Sequence, residues 1–378
     1  MENSTEKTRI AVQFAAIDPY IEVNIPSSTE KRTPGRDMVE WGDRNAYPDY
    51  LLKLARETPS LNAVLNGIVD YVAGDGITID PLTTALPDGR MNVRGDIIDE
   101  QVRCLARDYG NYGGMALQVI RDHTGDVAEV YYIDFRFLRS NKENTVFYYS
   151  ENWGTGRHKV LEYPAFYPYR PEQWATLDEA QRTRAASSIL YVKNKHTQTY
   201  PLPPFYAAIK ACETERCIDD YHLNAINNGF TPSQIMNFNS GTPTDEIKQE
   251  ITKDIKEKFT GHQNGARVLV AFNDDREHQL TVQPVKVEDF GARYDALSKH
   301  CRQQIFTSYR ANPNLFGIPT DNLGFSDEDY DKSFKLFNRT TIQPMQAKIC
   351  DMFDRVYGRR GVLRIVPFTL DGGQRVIQ

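Results

Sequence analysis

Cysteine is scarce in this chain: 378 residues carry five, at Cys104, Cys212, Cys217, Cys301 and Cys350. The count is odd, the spacing is scattered and no Cys-x-x-Cys pair occurs. That excludes a disulfide framework or a zinc ribbon and points to reduced core thiols in a cytosolic setting. Long apolar runs are missing too. No segment approaches the roughly 20 residues that span a bilayer, and no membrane partner is expected. The opening MENSTEKTRI lacks the apolar stretch of a secretory signal. Basic excess is absent as well: 45 Lys and Arg stand against 51 Asp and Glu, a net charge of −6. Tight, salt-sensitive gripping of nucleic acid by counterion release is therefore disfavoured, whereas a surface past which DNA slides without sticking is allowed.

Catalytic motifs are lacking in the same way. The chain has no GxxxxGK[ST], no HExxH, no GxSxG and no His/Cys cluster at metal-ligand spacing, so neither an enzyme nor a cofactor is expected. The most enzyme-like constellation is Glu213, Glu215, Asp219, Asp220 and His222 along one helical stretch. Carboxylates at such offsets suit a divalent metal, but a solvated or inter-subunit polar helix face is the preferred reading. The acidic run Ser326–Asp331 reads as a capped helix start, and the GDG at 74–76 as a turn.

What the chain does contain is an ordered composition, 40% hydrophobic and 25% charged, with 21 Tyr and 18 Phe. Its length predicts two or more modules, and that aromatic load suits broad contact surfaces. Extended segments are expected at 9–15 and 20–25. Leu51, Leu54, Leu61, Val64, Leu65, Ile68 and Val69 give 3–4 spacing for a helix over 50–72, broken near Pro59. A second helix is expected at 96–112, and strands at 115–121, 127–134 and 145–151.

Three long helices organise the second half. One runs from Pro204 to about Asn228, with Ala207, Ala211, Ile218, Tyr221 and Ala225 on its apolar stripe and Glu213, Arg216, Asp220 and Asn224 opposite. Strands at 233–238, 266–272 and 280–287 and a charged helix at 244–259 then form a β-α-β-β insert. A second helix spans about 288–310, with Leu297 and Ile305 on its apolar side and Lys299, Arg302 and Arg310 elsewhere. Residues 312–325 read as a loop. A third helix follows, kinked at Pro344, and 362–370 closes as a strand.

Four passages, in order, carry a family resemblance. WGDRNAYPDYLLKLARETPSLNAVLNGIVDYVAGDGI at 41–77 resembles the N-terminal signature of tailed-bacteriophage portal proteins, the head–tail connectors. YPLPPFYAAIKACETERCIDDYHLNAINNGFTPSQIMNF at 200–238 resembles their first stem helix. HQNGARVLVAF at 262–272 is similar to the strand leaving their clip, and CRQQIFTSYRANPNLFGI at 301–318 to the passage entering their tunnel loop.

The resemblance implies an α+β subunit: wing at 1–203, stem helices at 204–228 and 288–310, clip at 229–287 and tunnel loop at 311–325. Residues 326–378 would supply the kinked helix and closing wing strand, with the helical crown of many members absent or truncated. It further implies a closed ring of about twelve copies. The ring would sit at the capsid vertex of the virion, assembled in host cytoplasm beside major capsid protein or scaffold. Terminase large subunit and a head–tail adaptor would dock on it, and double-stranded DNA would pass through for packaging and ejection.

In that frame Lys299, Arg302 and Arg310 are candidate DNA contacts, the first and last lying three turns apart on one helix face. Asn312, Asn314 and Asn322 belong to the tunnel loop, and Lys248, Lys253 and Lys256 are candidates for clip docking. Ala207, Ala211, Ile218, Tyr221, Leu297 and Ile305 are the expected stem packing. The competing readings are a metal-dependent phage nuclease using 213–222 and a capsid adaptor without a channel.

Overall fold

A computed structural model of the chain describes residues 26, 28–33, 37–80, 90–153, 159–194, 198–228, 234–238, 244, 246–247, 249, 268–272, 290–318 and 327–369. The expected segments at 9–15, 20–25 and 280–287, most of the helix at 244–259, and Lys248, Lys253, Lys256, Asn322 and Ser326 lie outside them. The described residues fall into two compact units. One comprises those of Ile25–Glu215 with Lys299–Gln378, the other those of Arg216–Ser298.

The larger unit begins with strands β1 (Glu30–Arg32) and β2 (Val39–Trp41) and a turn at Asp43–Asn45. Helices α1 (Tyr47–Glu57) and α2 (Pro59–Ala73) follow. Thr58 between them is extended because the residue before a proline avoids helical geometry, and Pro59 then opens α2 where its missing N–H costs nothing. The break expected near Pro59 is thus a full boundary between two helices. Both bury the leucine and valine stripe read from the sequence.

Strand β3 (Gly76–Ile79), helix α3 (Ile98–Tyr112) and strands β4 (Gly114–Arg121), β5 (Val127–Tyr132), β6 (Leu138–Ser140), β7 (Val146–Tyr149) and β8 (Leu161–Pro164) come next. Two short helices, α4 (Pro171–Thr176) and α5 (Glu179–Ala185), precede β9 (Ser187–Lys193). One antiparallel sheet has the order β1-β2-β6-β7-β8, and another the order β5-β4-β9.

Helix α6 runs Ile209–Asn228 directly after a 3-10 turn at Tyr206–Ala208, so the prolines at 203 and 204 precede that turn instead of opening the helix. Strands β10 (Gln234–Phe238) and β11 (Val268–Phe272) pair in parallel, and helix α7 covers Phe290–Ser308. The chain continues through α8 (Asp327–Phe337), α9 (Gln343–Tyr357) and β12 (Leu363–Val366), which pairs antiparallel with β3.

The third long helix departs from expectation in an instructive way. Instead of a plain kink, a π turn at Asn338–Ile342 joins α8 to α9, and Gln343 N–H donates to Asn338 O, five residues back. Pro344 explains it. A proline ring collides with the carbonyl four residues earlier, here Thr340, and offers it no N–H. Widening the turn relieves both.

The GDG turn welds the two ends of the larger unit. Gly74 has φ +63°, and a Cβ there would sit 2.1 Å from Val366 O, so only glycine fits. Asp75 N–H donates to Val366 O at 3.1 Å, while its carboxylate accepts from Thr369 N–H and Oγ1, both at 2.9 Å.

Candidate functional site

The signature at 41–48 is a turn built around a buried cation. Gly42 (φ 77°), Arg44 (φ 49°) and Asn45 (φ 62°) take left-handed backbone, which lets Asn45 Oδ1 accept from Trp41 N–H at 3.0 Å. The same oxygen accepts from Arg139 Nε at 2.8 Å, and Asn45 O from Arg139 Nη2 at 2.8 Å. Nη1 of Arg139 donates to Arg136 O and Leu138 O, each at 2.7 Å. Arg139 is 1% exposed and these acceptors are all amide oxygens, so burial pushes its guanidinium down to about 10. Trp41 stacks flat on Tyr200 at 4.7 Å, and the Tyr200 hydroxyl accepts from Ser140 N–H at 2.9 Å. Tyr200 is the first residue of the second family-like passage, so β2, β6 and the approach to α6 meet at this point.

Helix α6 buries two of its acidic residues, so the solvated-face reading fails for Glu213 and Glu215, while Asp219 stays exposed. Glu213 and Glu215 are 5% and 7% exposed. Oε1 of Glu215 accepts from Ser60 N–H at 3.2 Å and Ser60 Oγ at 2.7 Å. Ser60 lies in the first turn of α2, where orphan N–H groups and the helix dipole favour a carboxylate. Burial pushes the Tyr50 phenol up, with the nearby Glu213 carboxylate adding to it. Glu215 therefore caps α2 through Oε1 in place of facing solvent. No group of three or more His, Cys, Asp or Glu suited to a metal occurs among the described residues. Nor is any described helix long and apolar enough to cross a membrane.

The expected stem residues take varied positions. Ala211 and Ile218 on α6 and Ile305 on α7 are buried, Ala207 is exposed, and Tyr221 and Leu297 are 47% and 40% exposed. Within the smaller unit Tyr221 stacks on Tyr294 at 5.1 Å with His222 edge-on to Tyr294 at 5.3 Å, and Arg216 pairs with Asp220 at 3.6 Å.

Of the basic candidates, Lys299 is exposed and Arg302 half-buried, both on α7. Arg310 is not on the helix. It ends at Ser308, and Arg310 sits at φ 56° while Ala311 N–H turns back to Phe306 O at 3.0 Å. The left-handed residue closes the helix as glycine often does. The three-turn alignment with Lys299 does not form.

The segment after α7 is firmly seated. Asn312 caps a 3-10 turn at Pro313–Phe316, its Oδ1 accepting from Asn314 N–H at 3.1 Å and its Nδ2 donating to Ser333 Oγ at 3.2 Å. Tyr71 Oη donates to Leu315 O at 2.9 Å. Phe316 lies against α2 where Gly67 has no side chain; a Cβ on Gly67 would stand 2.3 Å from its ring. Tyr71, Phe306 and Phe337 meet Phe316 edge-on at 6.0, 5.4 and 5.7 Å. Sequence reasoning places Asn312 and Asn314 in a loop but misses Gly67, Tyr71 and Phe316. A glycine in mid-helix, at a potential cost of about 1 kcal/mol, is the available signal.

Mixed helices and small sheets, with two long helices and a seated turn after the second, define an α+β fold. The sequence profile of the phage portal protein family matches residues 102–375, well over half of the chain, and the chain belongs to that family. That family is structural, not catalytic. No curated protein matches the sequence.

Among solved structures, the neck of an empty gene transfer agent particle computed with C6 symmetry is similar at TM-score 0.54 and 16% identity, over 91% of this chain and 87% of that one. The neck of the native particle computed with C12 symmetry is similar at TM-score 0.52 and 16% identity, over 93% and 88%. An HK97-family phage portal protein from Corynebacterium diphtheriae is similar at TM-score 0.45 and 10% identity, over 80% and 88%. At these identities the likeness to the two neck structures is one of fold.

Proposed function

We propose that this chain is the subunit of a closed portal ring at one capsid vertex, through which duplex DNA enters during packaging and leaves during ejection. The match of the portal family over residues 102–375 carries the reading. The C12 and C6 symmetries in which the similar neck proteins were computed support a ring. In this reading α6 and α7 form the stem, 229–287 is the clip on which terminase and a head–tail adaptor dock, and 311–325 is the tunnel loop. Capsid protein or scaffold surrounds the wing. The clip lysines Lys248, Lys253 and Lys256 are its docking candidates. Lys299 and Arg302 contribute bands of positive charge in an otherwise acidic conduit, touching phosphates without reading bases. With Oε1 of Glu215 taken by Ser60, that oxygen is lost to the nuclease reading as a metal ligand.

Native mass and a negative-stain top view of the purified chain test the proposal. A high-order ring with an open centre is the expected result. A monomer, or a ring with a closed centre, refutes it. Lys299→Ala with Arg302→Ala is expected to leave rings intact while slowing DNA packaging; packaging at the normal rate removes these two residues from the mechanism.

A further inference from the structure

The end of α9 carries a basic run in this acidic chain. From Arg355 to Arg364 the sequence reads RVYGRRGVLR, four arginines and no carboxylate in ten residues. Arg355 lies in the last turn of α9, and Gly358 (φ 67°) closes the helix. Gly361 (φ 75°) then turns the chain into β12, where Arg364 stands opposite Thr78 of β3. A Cβ on Gly358 or Gly361 would meet nothing within 4 Å, so the corner stands open on this chain.

The nearby acids are few and mostly occupied. Asp80 pairs with Arg359 at 3.0 Å, and Asp354 Oδ1 accepts from Val362 N–H at 3.0 Å. Asp351 lies one turn back on α9 and is exposed. Arg355, Arg360 and Arg364 are exposed, and none makes an ion pair among the described residues. The helix dipole accounts for Arg355 alone, because it fades within the last turn. Arg360 and Arg364 lie beyond it.

The geometry points to this corner as a contact for the phosphates of duplex DNA, resting on the portal reading for the choice of polyanion. Guanidinium forks engage phosphate oxygens bidentately, as a lysine point charge does not. A turn and a short strand present no element to a groove, so the contact is independent of base sequence. The role is a weak, salt-sensitive tether, distinct from the proposed bands at Lys299 and Arg302.

The test uses the assembled full chain and a fluorescent random-sequence duplex, with binding followed by anisotropy across a potassium chloride series. In the Arg355→Ala, Arg360→Ala, Arg364→Ala variant the slope of log affinity against log salt is expected to shrink by about 0.9 for each phosphate no longer neutralised, about 2.7 in all. The triple lysine variant should keep the slope and lose part of the affinity. An unchanged slope in folded, intact rings overturns the proposal. So does a variant that folds by circular dichroism but no longer forms rings, which makes the corner an interface between copies of this chain. An unsubstituted protein that forms no ring, yet loses the slope on substitution, refutes the portal reading while leaving the DNA tether in place.

Discussion

Two family-like passages, WGDRNAYP at 41–48 and PNLFGI at 313–318, both prove to be tight turns, and they are held by opposite physics. The first encloses a charge. Arg139 sits 1% exposed, its guanidinium distributed over amide oxygens of Asn45, Arg136 and Leu138. The second encloses a ring, Phe316, in the place where Gly67 has no side chain. A buried charge depends on every acceptor, because losing one leaves the desolvation cost unmatched. A buried ring depends on shape, and the loss of shape is graded. Brittle polar and tolerant apolar anchors therefore predict different responses to substitution.

The largest effect is expected at the polar turn. Asn45→Ala removes the acceptor of both Trp41 N–H and Arg139 Nε and places a less tolerant residue at φ 62°. A loss of about 2–6 kcal/mol is expected from two buried donors left unpaired, one of them charged, read from urea midpoints. A loss below about 1 kcal/mol would show that water or another carbonyl replaces the amide, and the comparison would break.

At the apolar turn a change of sign is expected. Glycine to alanine inside a helix normally stabilises by about 0.5–1 kcal/mol. Gly67→Ala should instead cost about 1–3 kcal/mol, since its Cβ would meet the Phe316 ring at 2.3 Å. In a Phe316→Ala background the same substitution should become stabilising. A double-mutant cycle measures this coupling, and additivity would dismiss the notch.

The smallest effect concerns pH. The Arg139 guanidinium titrates near 10 in the folded chain, below its ordinary value. Between that point and the unfolded value the unfolded chain binds more protons, so this group's contribution to stability rises with pH. Wild type should gain on Arg139→Met as pH is raised above about 10, whereas the gap between wild type and Gly67→Ala should stay flat. Urea midpoints at two alkaline pH values decide it; a flat gap for both variants would mean the guanidinium is not buried alone.

Much of the larger unit is legible from periodicity. The stripes of α1, α2 and α3, the strands at β4, β5 and β7 and the closing strand are where alternation and 3–4 spacing put them. Strands of three residues such as β1, β2 and β6 carry too few positions for a period to show. Glu215 escapes the pattern because a helical wheel assigns charge to solvent, while its partner Ser60 lies 155 residues away in sequence. No local pattern could reveal a helix N-terminus waiting for it. Arg310 escapes because helix ends are sought at glycine; Asn312 and Pro313 just beyond are the better punctuation. Of the candidate residues, Asn312 and Asn314 can be placed in a turn by composition. The aromatic seat beneath them cannot, since it joins α2, α7 and α8.

The π turn at Asn338–Ile342 behaves as a spare letter in the text of the helix. Deleting one residue there would return the Pro344 ring to collision with the carbonyl four residues before it and rotate everything downstream by about 100°. Met345, Ile349, Met352 and Phe353, all at most 5% exposed, would swing out of the interior. A one-residue deletion should be the rarest kind of change this helix survives.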